Sequence, residues 1–151
     1  MLLKNFFGFA MFGASLFFSS ATFAYDYTGT DSNGDGVRDD VAAKWAEIDT
    51  SSYKKNILLK QAKLLQRIMA ADLDNTDYVK ELGTEYMTLM SCLAGVYTMN
   101  GEDPQFMQYS RIITEKTFDT GERNRKFHSF LARIEKMPLN ESKVGTALCG
   151  K

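Results

Sequence analysis

The chain has 151 residues, 44% hydrophobic, 13% aromatic and 25% charged, with 18 basic and 19 acidic side chains. This composition suits one globular domain and excludes collagen, extended low-complexity sequence and a multi-pass membrane protein. A net charge of −1 leaves no electrostatic footprint for DNA or RNA, and one His with two Cys is too few for a zinc finger or a histidine-rich metal centre.

Residues 1–24 read as a leader. Lys4 is the single charge of a short n-region, Phe6 to Phe18 is an apolar run, and Thr22 and Ala24 take the −3 and −1 places of a signal-peptidase site. The apolar core falls short of the roughly 20 residues that span a bilayer. The expectation is an exported protein, periplasmic or extracellular, with a mature chain of 127 residues from Tyr25 to Lys151. Seven of the eleven Phe leave with the leader, and the remainder carries 17 basic and 19 acidic groups, a net of −2. Residues 25–36 form an N-terminal loop segment, and residues 37–151 one helical domain continuous with it.

The loop holds the one stretch with chemistry in it, Asp31-Ser32-Asn33-Gly34-Asp35-Gly36-Val37-Arg38-Asp39-Asp40. Oxygen-bearing side chains recur at Asp31, Asn33 and Asp35, Gly36 follows, and Asp39 comes next after the backbone carbonyl of Val37. Hard cations such as calcium take six to eight oxygens, and alternate side chains of a tightly curled loop aim inward together. The stretch resembles the calcium loops of EF-hand-like and thrombospondin type 3 repeat proteins. It is also similar to a single loop of this kind that opens many exported bacterial proteins of unknown role. By that resemblance Asp31, Asn33, Asp35, Val37 and Asp39 are the ligands and Ca2+ the cofactor. Ala42 stands where the EF-hand has a bidentate Glu, so water, Asp40 or Asp26 has to make up the shell. The expected affinity is weak, in the roughly 10⁻⁴ to 10⁻³ M range of extracellular modules. A bare helix-capping turn is the rival reading, but it needs no alternation of Asp, Asn and Asp.

Beyond the loop the helical period dominates. Val37, Val41, Trp45 and Ile48 lie on one side of a short helix opening at Asp39-Asp40. Ser51 or Ser52 caps a second helix from about Tyr53 to Ala71. There Tyr53, Ile57, Leu58, Leu64, Leu65, Ile68 and Met69 share one arc, with Lys55, Lys60, Lys63, Gln66 and Arg67 opposite. A third helix, capped by Thr76 and ended by Asn100-Gly101, carries the core stripe: Tyr78, Val79, Leu82, Tyr86, Leu89, Met90, Leu93, Val96 and Tyr97. Asp103-Pro104 starts a fourth, with Phe106, Tyr109, Ile112 and Ile113 inward as far as about Phe118. Asp119-Thr120-Gly121 is the next break. Phe127, Phe130, Leu131, Ile134 and Met137 mark a fifth helix, stopped before Pro138. The fold class is therefore all-α, a small bundle of about five helices preceded by a calcium-type loop.

In an oxidising compartment Cys92 and Cys149 are expected to form a disulfide that ties the C-terminal tail to the third helix. No Cys-x-x-Cys is present to favour a redox role. His128 reads as a partly exposed structural residue, Arg123 to Lys126 as a solvated basic face, and the Met residues as core filling. The function expected is a non-enzymatic module that binds a protein or envelope component, with calcium as a structural staple and without nucleic acid or a stable membrane span. The alternative is an envelope hydrolase acting on peptidoglycan through a lone carboxylate, Glu141 or Glu85. Glu141-Ser142 matches the catalytic Glu-Ser of lytic transglycosylases, but the downstream Gly-Leu-Met-Gln element of that family is absent.

Overall fold

Five helices and no strand make up the described part of the computed structural model, which comprises residues 25–99, 103–139 and 149. The all-α expectation is met. The elements are α1 (Asp39–Glu47), α2 (Ser52–Ala70), α3 (Thr76–Met99), α4 (Pro104–Thr117) and α5 (Gly121–Ile134). The expected leader, the expected stop at Asn100-Gly101 and Glu141 lie outside the described residues.

Local chemistry sets most of the helix ends. Ser51 accepts from the Lys54 N–H at 3.5 Å, Asp103 from Phe106 at 3.0 Å and Thr120 from Arg123 at 3.3 Å, each occupying one of the first-turn donors that have no intrahelical acceptor. Asn75, not Thr76, caps α3, accepting from the Tyr78 N–H at 3.2 Å. The α5 helix ends at Ile134 and passes through a turn at Met137, so it stops short of the expected boundary at Pro138.

Helix α2 is the central element, packed on α3, α4, α5 and α1. Ile57, Leu58, Leu64, Leu65, Ile68 and Met69 are buried on it as their arc requires, while Tyr53, in the first turn, is exposed. Each such burial contributes about 1.5–3 kcal/mol relative to exposure. On α3 the stripe from Val79 and Leu82 to Leu93 and Val96 is buried, with Tyr78, Tyr86 and Met90 packed at its edge. Gly83 lets α5 lie close, since a Cβ there would stand 2.7 Å from Ile134 Cγ2. Phe127 stacks on Phe118 at 4.1 Å and meets Tyr86 edge-on at 5.9 Å, closing the α3–α5 seam.

Two buried polar side chains also join elements. Gln61 donates to Ser110 O at 3.1 Å and to Thr114 Oγ1 at 2.9 Å, tying α2 to α4. Gln66, expected on the solvent side of α2, is buried and donates to Thr28 O at 2.6 Å. The segment before α1 covers that side of the helix, which a helical wheel cannot register. Cys92 and Cys149 are disulfide-bonded with Cα atoms 5.4 Å apart, so the tail is fastened to α3 as expected. No helix among the described residues is long and apolar enough to cross a membrane.

Candidate functional site

The loop before α1 is closed at its neck by Asp39. Its backbone N–H donates to Thr30 O at 2.9 Å, and its carboxylate accepts from the Ser32 N–H at 2.9 Å and the Ser32 hydroxyl at 2.6 Å. The Ser32 hydroxyl and then its N–H hold the Asp39 carboxyl below the usual carboxylate range. Inside the neck the chain curls over Asp31. One oxygen of that carboxylate accepts from the N–H groups of Gly34 at 2.9 Å and Asp35 at 3.3 Å, and the other from Gly36 at 2.9 Å. Gly34 and Gly36 turn the backbone with φ of +68° and +85°, the left-handed region in which a Cβ is penalised.

The expected ligands are thus gathered on one loop, each with a present occupation. Asn33 Oδ1 accepts from the Asp35 N–H at 3.0 Å, and its amide nitrogen donates to Asp35 Oδ2 at 2.9 Å. Asp35 Oδ1 accepts from the Val37 N–H at 2.9 Å. The Val37 side chain is buried in the core, Asp39 is turned to Ser32, and Ala42 brings no oxygen. Among the described residues, no three His, Cys, Asp or Glu side chains are gathered as a metal-holding group. The donor set is that of a hard-cation loop, but its oxygens are engaged with the loop itself. Neither carboxylate expected to complete a shell is turned to the loop. Asp26 accepts from Thr28 and Gly29, and Asp40 pairs with Arg38 and Lys116.

Directly after the loop the chain drives an arginine inward. Arg38 is only 4% exposed. Its Nη2 donates to Lys116 O at 2.6 Å, Asp119 Oδ2 at 2.9 Å and Asp40 Oδ2 at 3.1 Å, Nε donates to Asp40 Oδ1, and Nη1 reaches Thr117 O at 3.5 Å. Lys116 and Thr117 are the last residues of α4, so the guanidinium occupies carbonyls that have no intrahelical donor and places a cation at the negative end of the helix dipole. Asp119 also takes Arg123 Nη1 at 2.7 Å. Burial alone raises the carboxyl pKa of Asp40 and Asp119. For Asp40 the hydrogen bonds and charges of Arg38 and Lys116 outweigh it and hold the group at about 2. For Asp119 the charges of Arg123, Arg38 and Lys116 likewise bring the value below the ordinary one.

The rest of the segment is held in the same way. Arg123 Nε donates to Tyr27 O at 3.0 Å, and Lys126 Nζ lies 4.3 Å from the centre of the Tyr27 ring while donating to Met69 O, near the end of α2, at 2.7 Å. The basic cluster read as a solvated face therefore divides. Arg125 is exposed, whereas Arg123 and Lys126 grip the N-terminal segment. Sequence reasoning missed Arg38 as an anchor, and its one local signal was an Arg beside Val37 just before a helix opening with two Asp.

The remaining candidates sit apart from the loop. Both oxygens of Glu85 are held by Arg67, at 2.6 and 3.2 Å. His128 is exposed on α5. No protein family profile matches the chain, and neither a curated protein nor a solved structure shows detectable similarity to it.

Proposed function

We propose that this chain is an exported helical binding module whose N-terminal loop takes calcium as a structural staple. The observation that supports the reading most is the Asp31 carboxylate, held at the centre of a curled loop by three backbone N–H groups, with Asn33 and Asp35 on the same turn. This fixes the backbone that carries the oxygens without using up their lone pairs, since each carboxylate oxygen has more than one. A cation displaces the contact between the Asn33 amide and Asp35, and recruits Asp39 only at the expense of Ser32. Those exchanges, with the missing oxygens at Ala42, keep the affinity in the roughly 10⁻⁴ to 10⁻³ M range.

The role of the ion is to stiffen a segment already fastened to three helices through Arg38, Arg123 and Gln66. The helical faces are then the surface offered to a protein or envelope component. Equilibrium dialysis of the oxidised protein against labelled calcium tests the reading. It predicts about one ion per chain at millimolar calcium, lost in Asp31→Ala/Asp35→Ala. No retained calcium at about 10 mM overturns it.

A further inference from the structure

Between α2 and α3, away from the N-terminal loop, lies a cavity of about 440 Å³, within the roughly 300–1,000 Å³ range of small-ligand sites. Its floor is apolar: Ile57 and Leu64 from α2, Leu89 from α3, and the Cys92–Cys149 disulfide at one end. All are buried, so the floor belongs to the folded core and does not depend on a ligand to form.

The rim has a different character. Lys60, Lys63 and Arg67 follow one another along the α2 edge at helical spacing, facing Thr84, Glu85 and Thr88 on α3. Glu85 is spent on Arg67. Among the described residues, Lys60 Nζ makes only a long contact to Cys149 O, at 3.4 Å, and Lys63 pairs with nothing. Two ammonium groups therefore stand together at the mouth of an apolar slot, in a protein whose net charge is −1.

We infer that this slot binds a single-chain anionic amphiphile, a free medium-chain fatty acid, with its alkyl chain on the Ile57–Leu64–Leu89 floor and its carboxylate at Lys60 and Lys63. The floor supplies affinity by removing alkyl surface from water, and the lysines select the sign of the headgroup. The inference is independent of the calcium reading, and its test is made in EGTA so that the two fail separately.

Dodecanoate, below its micelle-forming concentration, is titrated calorimetrically into the oxidised protein beside dodecyltrimethylammonium and dodecyl maltoside. The expected result is about one dodecanoate per chain, bound at least about tenfold tighter than the cationic chain, a discrimination that oppositely charged headgroups at two lysines readily supply. Lys60→Glu/Lys63→Glu should remove that preference with an unchanged thermal midpoint, because both side chains are exposed. Thr84→Phe, which puts a ring into the mouth, should abolish binding of all three chains. The inference is overturned by absence of dodecanoate binding, by equal affinity for the cationic chain, or by binding that survives both variants. It is equally overturned if the protein binds anionic vesicles but not free dodecanoate.

Discussion

Arg38 and Asp119, 81 residues apart in sequence, meet with Nη2 2.9 Å from Oδ2 at the corner between α4 and α5. The contact joins the end of the candidate calcium loop to the far half of the bundle. Through the same guanidinium the loop reaches the last carbonyls of α4, so the position of the loop and the termination of that helix are one arrangement.

Arg38→Met should therefore destabilise the protein strongly. It leaves Asp119 and Asp40 to Lys116 and Arg123, and it strips the only described side-chain donor from the Lys116 and Thr117 carbonyls. Leaving those carbonyls without a donor costs about 1–3 kcal/mol, measured by urea unfolding. Arg38→Lys keeps the charge but not the planar fork that serves five acceptor atoms on four residues, and should fall between the parent and Arg38→Met. A loss within about 0.5 kcal/mol for Arg38→Met, the range of ordinary surface substitutions, contradicts the anchoring role.

The same cluster gives the protein an acid limb. The carboxyls of Asp40, at about 2, and Asp119 lie below their ordinary value in the folded chain, so the unfolded chain binds their protons more readily. Their stabilisation is complete above about pH 5, and it disappears as the pH falls toward 2 for Asp40 and through its own lowered value for Asp119. Asp40 is 44% exposed, so screening reduces its share to about 1 kcal/mol. Lys116 is raised by hydrogen bonding and attraction to Asp40, and its contribution disappears only as strongly alkaline pH passes its folded value. Asp40→Asn should flatten part of the acid limb in pH-dependent thermal unfolding and leave the shape between pH 6 and 8 unaltered.

Gly29 is the tightest point of the docked segment. Its φ is +69°, and a Cβ there would stand 2.5 Å from Arg38 Cδ and 3.1 Å from Arg123 Nη2. Gly29→Ala adds about 1 kcal/mol of backbone strain and presses on both arginines at once. It should be the more damaging change when compared by urea unfolding with Gly36→Ala, which has similar strain but open space around the added methyl. Equal losses would mean that the close approach to Arg38 yields without cost.

Reduction of Cys92–Cys149 should cost about 4 kcal/mol in the chain-entropy model for a separation of 57 residues. Unfolding in urea with and without reductant reads the difference, and Cys92→Ser/Cys149→Ser should match the reduced parent. An unchanged midpoint on reduction contradicts a structural role for the bridge.

The helices and their inward faces were legible because α2 and α3 are long and their apolar residues recur at the helical period, so Leu58, Ile68, Val79 and Leu82 declared their burial. The cap at Asp103-Pro104 was equally plain. Arg38, Gln66, Arg123 and Lys126 were not, for a common reason: polar side chains are read as solvent-facing unless something covers them. What covers Gln66, and what Arg123 and Lys126 grip, is the irregular segment at Tyr27 and Thr28, which has no period to betray its path. The loop lay between these extremes. Its residue types announced a hard-cation pattern, while the engagement of Asp39 with Ser32 depended on a neck that only the fold reveals.

Calcium that fills this loop should stabilise the folded chain. The most direct measurement is thermal unfolding of oxidised residues 25–151 in EGTA and across calcium to about 10 mM, beside Asp31→Ala/Asp35→Ala. The parent midpoint should rise by a few degrees over the millimolar range, as expected for a ligand that binds only the folded state, and the variant should not respond. A parent that ignores calcium, or a variant that responds equally, would show that the loop is a self-bonded turn anchored by Arg38 and not a metal site.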